Sequence, residues 1–363
     1  MNYYIFGAHP RGQTMGIYLE QLHSDWNNLG YLYDDEQTNP EAVGDVPVFK
    51  IQGEEELDVS ARVYIATRGI SFAHIREVLE EYGFAPDNIV PVDPVLDVKL
   101  RNEFVKEYFA QRGWEFRKID DIDLPKVDID SETGLIYVVK SAVDAPLAYD
   151  VPLKKYEAFI QAGRAIAESD LEGVTLFDSV GDSISDKNRQ MCELTAMYWI
   201  WKNACTGEVI GLEHYRRRFI LPEGWQSVIT DGAADVILPV PLFVNPSIQG
   251  NYLFRHERAP WDSMLRNLER IHGKAVYEAA KDFYENTGCY SPCNMLIARN
   301  TAFADVCAFV FPVIFSVLEE CGSIDDNYQN RYPGFLSERL ITFFFYWKRD
   351  EYKVIYADKS FLS

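Results

Sequence analysis

The sequence predicts an α/β protein with two sheet-bearing domains, and three observations carry that prediction. Its 363 residues exceed the roughly 100–200 of one average domain. Short apolar and aromatic runs alternate with segments of helical periodicity, the pattern of parallel strands joined by crossover helices. A charged stretch from Lys118 to Glu132 separates an early set of such runs from a later one, which sets boundaries at 1–98, 99–133 and 134–363. With 47% hydrophobic and 25% charged residues, the composition is that of a globular protein, and each part is long enough to bury its own core.

The first domain opens with the apolar run Tyr3 to Ala8, and Met15, Leu19 and Leu22 then recur at helical spacing; this is a strand, a turn and a helix. Leu29 to Tyr33, Val46 to Phe49, Val63 to Ala66 and Ile89 to Val92 read as further strands, with a helix from Ser71 to Tyr82. The result is a Rossmann-like parallel sheet. Its first turn keeps Gly7 and Gly12, the outer glycines of a dinucleotide fingerprint, but has His9 where a middle glycine would let a pyrophosphate approach the backbone. NAD binding is therefore disfavoured. Asp34 or Asp35, at the end of the second strand, could still accept hydrogen bonds from a ribose, and the alternative is a structural or docking role. The segment resembles the small Rossmann-type domain that opens certain sugar acyltransferases and other polysaccharide-locus proteins.

A helix from Asn102 to Gly113 and the charged stretch form the connector. Asp120-Asp121-Ile122-Asp123 and Asp128-Ile129-Asp130 imitate a metal-binding DxD but suit a solvated linker better. The last domain begins with the strand Leu135 to Lys140, then a helix near Tyr156 to Glu168. Asp178 to Asn188 is dense in turn and capping residues, and Cys192 to Asn203 reads as a helix. Val209 to Leu212 is a short strand delivering Glu213-His214-Tyr215-Arg216-Arg217-Arg218 at its carboxyl end, where open α/β sheets place their ligands. The apolar runs Cys307 to Leu318 and Leu340 to Trp347 fall short of a bilayer span and read as core helices, although either could graze a membrane surface.

A net charge of −21 and pI near 4.7 argue against a nucleic-acid backbone as the main partner, because neutralising phosphates needs a basic face. Any phosphate site must be local, and Arg216, Arg217 and Arg218 are the only three consecutive cations. The 22 Tyr, 22 Phe and 7 Trp suit either a core of large side chains or ring platforms for bases and sugars. The start lacks the basic and long apolar regions of a secretory signal, so a cytoplasmic location is expected, with the inner membrane face open as a place of peripheral contact. Six cysteines without zinc-site spacing then read as reduced thiols, Cys289 and Cys293 as small buried hydrophobes.

Six segments in order, Gln161-Ala162-Gly163, Gly181 to Asn188, Cys192 to Asn203, Gly211 to Arg217, Asn294 to Ile297 and Gly334 to Leu340, resemble the capsular and exopolysaccharide glycosyltransferase family formerly described as a domain of unknown function. The likeness spans most of 134–348 and leaves out the first domain. It implies a GT-A-like nucleotide-sugar fold and transfer of a hexose, galactose or galactofuranose, to a lipid-linked surface-polysaccharide acceptor from a donor that is typically UDP-linked. This sequence departs from the family after the first strand, where Lys140-Ser141-Ala142-Val143 replaces the usual turn containing His and Lys.

Glycosyl transfer must stabilise charge on the departing diphosphate, often through a metal-bound DxD. Here Glu213-His214-Tyr215 stands at that position; the carboxylate and imidazole could hold manganese or magnesium, while Arg216 and Arg217 could supply countercharge themselves. Metal dependence stays open. Lys140, Asp178, Asp182, Lys187 and Asn188, with His214 and Tyr215, complete the candidate donor site, against capping by Ser185 or Asp186 as the plain alternative. Glu338, placed at a helix start whose dipole would keep it ionised, is the candidate base for the acceptor hydroxyl. Weaker candidates for that base are Asp262 and Asp235. His256, Asn294 and Arg339 are candidate sugar or acceptor contacts. Two rival functions remain: an NAD-dependent nucleotide-sugar enzyme, excluded if no NAD binds, and a non-catalytic partner of a polysaccharide assembly, favoured if no UDP-sugar raises the melting temperature.

Overall fold

The computed structural model describes residues 1–34, 39–53, 55–67, 71–124, 134–148 and 151–362. Asp35 and the Asp128-Ile129-Asp130 pair lie outside them. Two compact units, Met1–Glu115 and Phe116–Ser363, make up the chain, and both are α/β.

In the first unit β1 (Asn2–Phe6), β2 (Asn27–Tyr33), β3 (Ala42–Val43), β4 (Val46–Lys50), β5 (Arg62–Ile65) and β6 (Ile89–Pro91) form one sheet in the order β3-β4-β2-β1-β5-β6. Every pairing is parallel except that of β3 with β4. The helices are α1 (Pro10–Leu22), α2 (Phe72–Tyr82) and α3 (Pro94–Ala110). The last begins well before the expected Asn102. Asp93 caps it by accepting from the Leu96 N–H at 2.8 Å, and Pro94 at the first position is pre-set for a helix. Tyr4, Phe6, Leu32, Val63, Ile65, Ile75 and Leu79 fill the core between sheet and helix.

In the second unit β7 (Gly134–Ser141), β8 (Glu157–Ala162), β9 (Leu176–Phe177) and β10 (Val209–His214) run parallel, with α4 (Asn188–Met191) and α5 (Leu194–Asn203) between the last two. The expected helix at Tyr156 to Glu168 is instead β8 followed by a short 3-10 turn, Arg164–Ile166. Ile160, Gln161 and Ala162 are all buried, and parallel partners on both sides override the helical reading. Beyond lie β11 (Arg217–Phe219), α6 (Ser227–Thr230), β12 (Val236–Pro239), β13 (Leu242–Phe243), α7 (Ile248–Arg255), α8 (Arg258–His272), α9 (Lys274–Asn286), β14 (Cys289–Tyr290), β15 (Leu296–Arg299), α10 (Asn300–Cys321), α11 (Tyr332–Trp347), β16 (Val354–Ala357) and β17 (Lys359–Phe361).

The main sheet has the order β16-β12-β15-β10-β7-β8-β9, with β15 antiparallel to both neighbours. The start of β15 therefore meets the carboxyl ends of β7, β8 and β10 on one edge. Helix α10 spans 22 residues and contains an 18-residue stretch of mean hydropathy 2.1, which makes it long and apolar enough to cross a membrane and longer than the apolar run the sequence suggested. Ala302, Phe303, Val306, Val310, Val313 and Ile314 are all buried, and the helix packs on α5, α8, α11 and β15. Its apolarity serves the core.

Candidate active site

Strand β11, which follows β10 after a two-residue turn, divides the basic run by strand alternation. Arg218 turns inward: it is 4% exposed, and its guanidinium bonds the Glu157 carboxylate at 3.0 Å and the Pro152 carbonyl at 3.2 Å. Arg217 turns the other way. Its guanidinium lies 5.4 Å from the Phe361 ring centre, and its charge acts on His214, Cys293 and Glu338. Arg216 lies over the same ring and reaches the Leu362 carbonyl at 3.4 Å, tying down the C-terminal strand. Lys140, at the end of β7, sits 4.6 Å from the Tyr215 ring centre, and the Tyr215 hydroxyl accepts from the Leu147 N–H at 3.3 Å.

Glu213 was the carboxylate considered for a cation, and it is withdrawn into the sheet. It is 1% exposed, its Oε2 accepts from the Phe219 N–H at 2.9 Å, and burial beside the negative Glu157 raises its pKa to about 8. No three His, Cys, Asp or Glu side chains converge among the described residues. This donor set does not form a protein cage for a divalent ion.

What does converge is a pair of other carboxylates. Cys293 and Asn294, just before β15, both adopt positive φ, 79° and 51°, a costly conformation for non-glycine residues that the surrounding bonds hold in place. The Cys293 N–H donates to Glu338 Oε1 at 2.6 Å. The Asn294 amide donates to Glu193 Oε1 at 2.7 Å and to the Gly334 carbonyl at 3.1 Å, while its oxygen accepts from Ser337 at 2.6 Å. His214 faces Glu193 across 4.0 Å, and its Nε2 is buried without a partner. Burial lowers the His214 pKa, so the imidazole is neutral. The turn thus aims Glu193 and Glu338 at a region shared with His214 and Arg217.

Glu338 is not at a helix start. It is seven residues into α11, beyond reach of the terminal dipole. Burial instead raises its pKa, against the opposing charge of Arg339, which strengthens it as a base. Arg339 itself is 3% exposed. Its guanidinium bonds the Phe335 carbonyl and Glu338 Oε2 at 2.7 and 3.1 Å and packs over the Tyr290 ring. His256 stacks on Phe335, its ring centre 4.2 Å away, meets Gln329 at 3.3 Å, and is driven to a pKa of about 4 by burial and by Arg339.

The loop after β9 is organised internally. Asp178 is fully buried and accepts from the Gly163 and Arg164 N–H groups at 2.8 and 3.1 Å and from the Ser185 hydroxyl. The Asn188 amide donates to the Cys192 carbonyl and Thr195. Asp182 accepts from Tyr198 at 3.0 Å, and Lys187 is exposed beside Asp186. Glu193, though inside one of the matching segments, was given no role from sequence, and Cys293 is half-buried at the site rather than enclosed. Only the Ser-Pro-Cys-Asn composition hints at that turn. A depression of about 520 Å³ lined by Glu257, Arg266, Glu320 and Cys321 lies elsewhere, and Ser263, Asn267 and Arg266 already engage its Glu320 carboxylate.

A family model described as a domain of unknown function, DUF4422, matches residues 145–349. No curated protein matches. Among solved structures, the apo WbbM bifunctional glycosyltransferase is similar at 22% identity and a TM-score of 0.54, over 64% of this chain and 45% of that one. The chain thus spans under half of that protein's length, and the likeness is one of fold. The mannosyltransferase Ktr4p of S. cerevisiae gives 12% identity and a TM-score of 0.29, over 68% and 73% of the two chains.

Proposed function

Since the chain belongs to the DUF4422 family and shares a fold with a glycosyltransferase, we propose that it moves a hexosyl group, galactose or galactofuranose, from a nucleoside diphosphate sugar. The donor is a uridine nucleotide, and the acceptor is a lipid-linked surface polysaccharide reached from the cytoplasmic side of a membrane. One observation carries the reading: two carboxylates, a buried imidazole nitrogen without a partner among the described residues and the charge of Arg217 meet at the carboxyl edge of the sheet around the Cys293-Asn294 turn.

In this reading Arg217 and Lys140 face the donor diphosphate and offset the charge that grows as it departs. Glu338, a base strengthened by burial, takes the acceptor hydroxyl's proton. The acceptor oxygen bonds to the anomeric carbon as the carbon–oxygen bond to the diphosphate breaks, and the nucleoside diphosphate leaves with that electron pair. Asn294 orients Glu193, and the neutral His214 beside it accepts from a sugar hydroxyl through Nε2. No step is routed through a cation.

The test measures nucleoside diphosphate release from UDP-galactose and UDP-galactofuranose with a lipid-linked acceptor. Glu338→Gln, which can keep the Cys293 bond, lowers turnover about 10²–10⁴-fold, the range of a lost general base. Arg217→Ala lowers it at least about 10²-fold, and full chelation leaves the wild-type rate in place. Normal turnover in Arg217→Ala sinks the proposal.

A further inference from the structure

The carboxyl edge of the first sheet bounds a cavity of about 360 Å³ that the transferase reading does not use. Gly7, His9, Asp34, Thr67, Ser71 and His74 line it. It sits where the chain order changes direction, with β1 between β2 and β5, the position at which parallel sheets bind ligands. Gly7 has φ of +114°, and a Cβ on Gly12 would stand 1.8 Å from the Gly7 carbonyl oxygen, so the turn closes only with glycines.

The wall is chemically divided. Helices α1 and α2, of 13 and 11 residues, open at His9 and Ser71 on the cavity rim, and neither has an acidic residue in its first turn or a side-chain cap. Their dipoles favour an anion. The Thr67 hydroxyl on the same wall is buried without a partner. Opposite in character is Asp34, a carboxylate at the end of β2 with His74 Nε2 at 3.4 Å. It accepts hydrogen bonds from hydroxyls and repels a second phosphate. Ligand pockets run from roughly 300 to 1,000 Å³, and this one is at the small end.

We infer that the first unit is a binding site for one phosphate ester of a hydroxylated ring, a nucleoside 5′-monophosphate or a hexose 1-phosphate, with the phosphate at the α1 and α2 openings and the ring hydroxyls on Asp34. A dinucleotide brings a second phosphate to the carboxylate. The site is independent of the transferase proposal and stands if that fails.

Isothermal titration calorimetry on the full chain with UMP, AMP, glucose 1-phosphate, inorganic phosphate and NAD tests it. One of the three organic monophosphates binds saturably at one site, at least tenfold tighter than phosphate or NAD. Asp34→Ala weakens that site at least tenfold, as does Ser71→Asp, which sets a carboxylate at the α2 opening, while Arg217→Ala leaves it unchanged. Saturable binding by none of the three, binding that Asp34→Ala and Ser71→Asp both leave intact, or binding lost in Arg217→Ala overturns the inference.

Discussion

Two polar stretches of the second unit, 178–188 and 213–217, looked equally suited to a ligand and fold to opposite ends. In the first, nearly every hydrogen-bonding group has a protein partner: Asp178 holds two N–H groups and a hydroxyl, and Asn188 holds Cys192 and Thr195. In the second, among the described residues, His214 Nε2 is buried without a hydrogen-bond partner, and the Arg217 guanidinium lies against the Phe361 ring. A buried polar group left unpaired is costly, so its persistence beside Glu193 and Glu338 marks a place where a ligand completes the pairing. Hydrogen-bonding capacity read from sequence is therefore not binding capacity.

The sharpest way to break that contrast is to exchange fates within the basic run. Arg218→Ala leaves Glu157 buried and unpaired and costs about 3–5 kcal/mol of stability, read as a lower midpoint in urea. Arg217→Ala leaves that midpoint near wild type and removes activity instead. Equal stability losses from the two would erase the distinction. Next in size, Asp178→Ala strands buried donors at Gly163 and Arg164 and costs about 2–4 kcal/mol. If Asp178→Ala kept its midpoint and lost only donor affinity, the loop would belong to the site after all.

Much of the architecture was legible. Continuous apolar runs marked β1, β5, β7 and β10, and helical spacing marked α2, within a residue or two, because those strands are buried on both faces and α2 buries one. Helix α5 was placed, but its start shifts to Leu194 because Cys192 takes a φ of 50°. The β8 segment misled because its strand identity comes from parallel partners on both sides, which no local pattern encodes. Within the site, Arg217 and Glu338 could be named from residue type and position. Glu193 could not, since its role depends on Asn294, 101 residues away. Nor could the separation of Arg217 from Arg218, which follows from the partner Glu157 waiting on a different strand.

The smallest predicted effect isolates Glu213, the carboxylate drawn out of the site. Its folded pKa of about 8 stands above the ordinary 4.5, so between those values the folded state holds a proton that the unfolded state has released. Stability then falls as pH rises, by about 1.4 kcal/mol per unit for one proton, and levels off once pH passes the folded value. His214 is shifted the other way, so its contribution is lost only as pH drops below about 6.5. Between pH 6.5 and 8 the decline therefore comes from the buried carboxyls whose pKa is raised, Glu213 and Glu338, with Glu213 contributing about 2 kcal/mol. Glu213→Gln keeps an acceptor for the Phe219 N–H and stays neutral, so its unfolding free energy in urea falls less steeply across that window than that of the wild type. If the variant declines as steeply as the wild type, the proton resides elsewhere and Glu213 is ionised in the folded state.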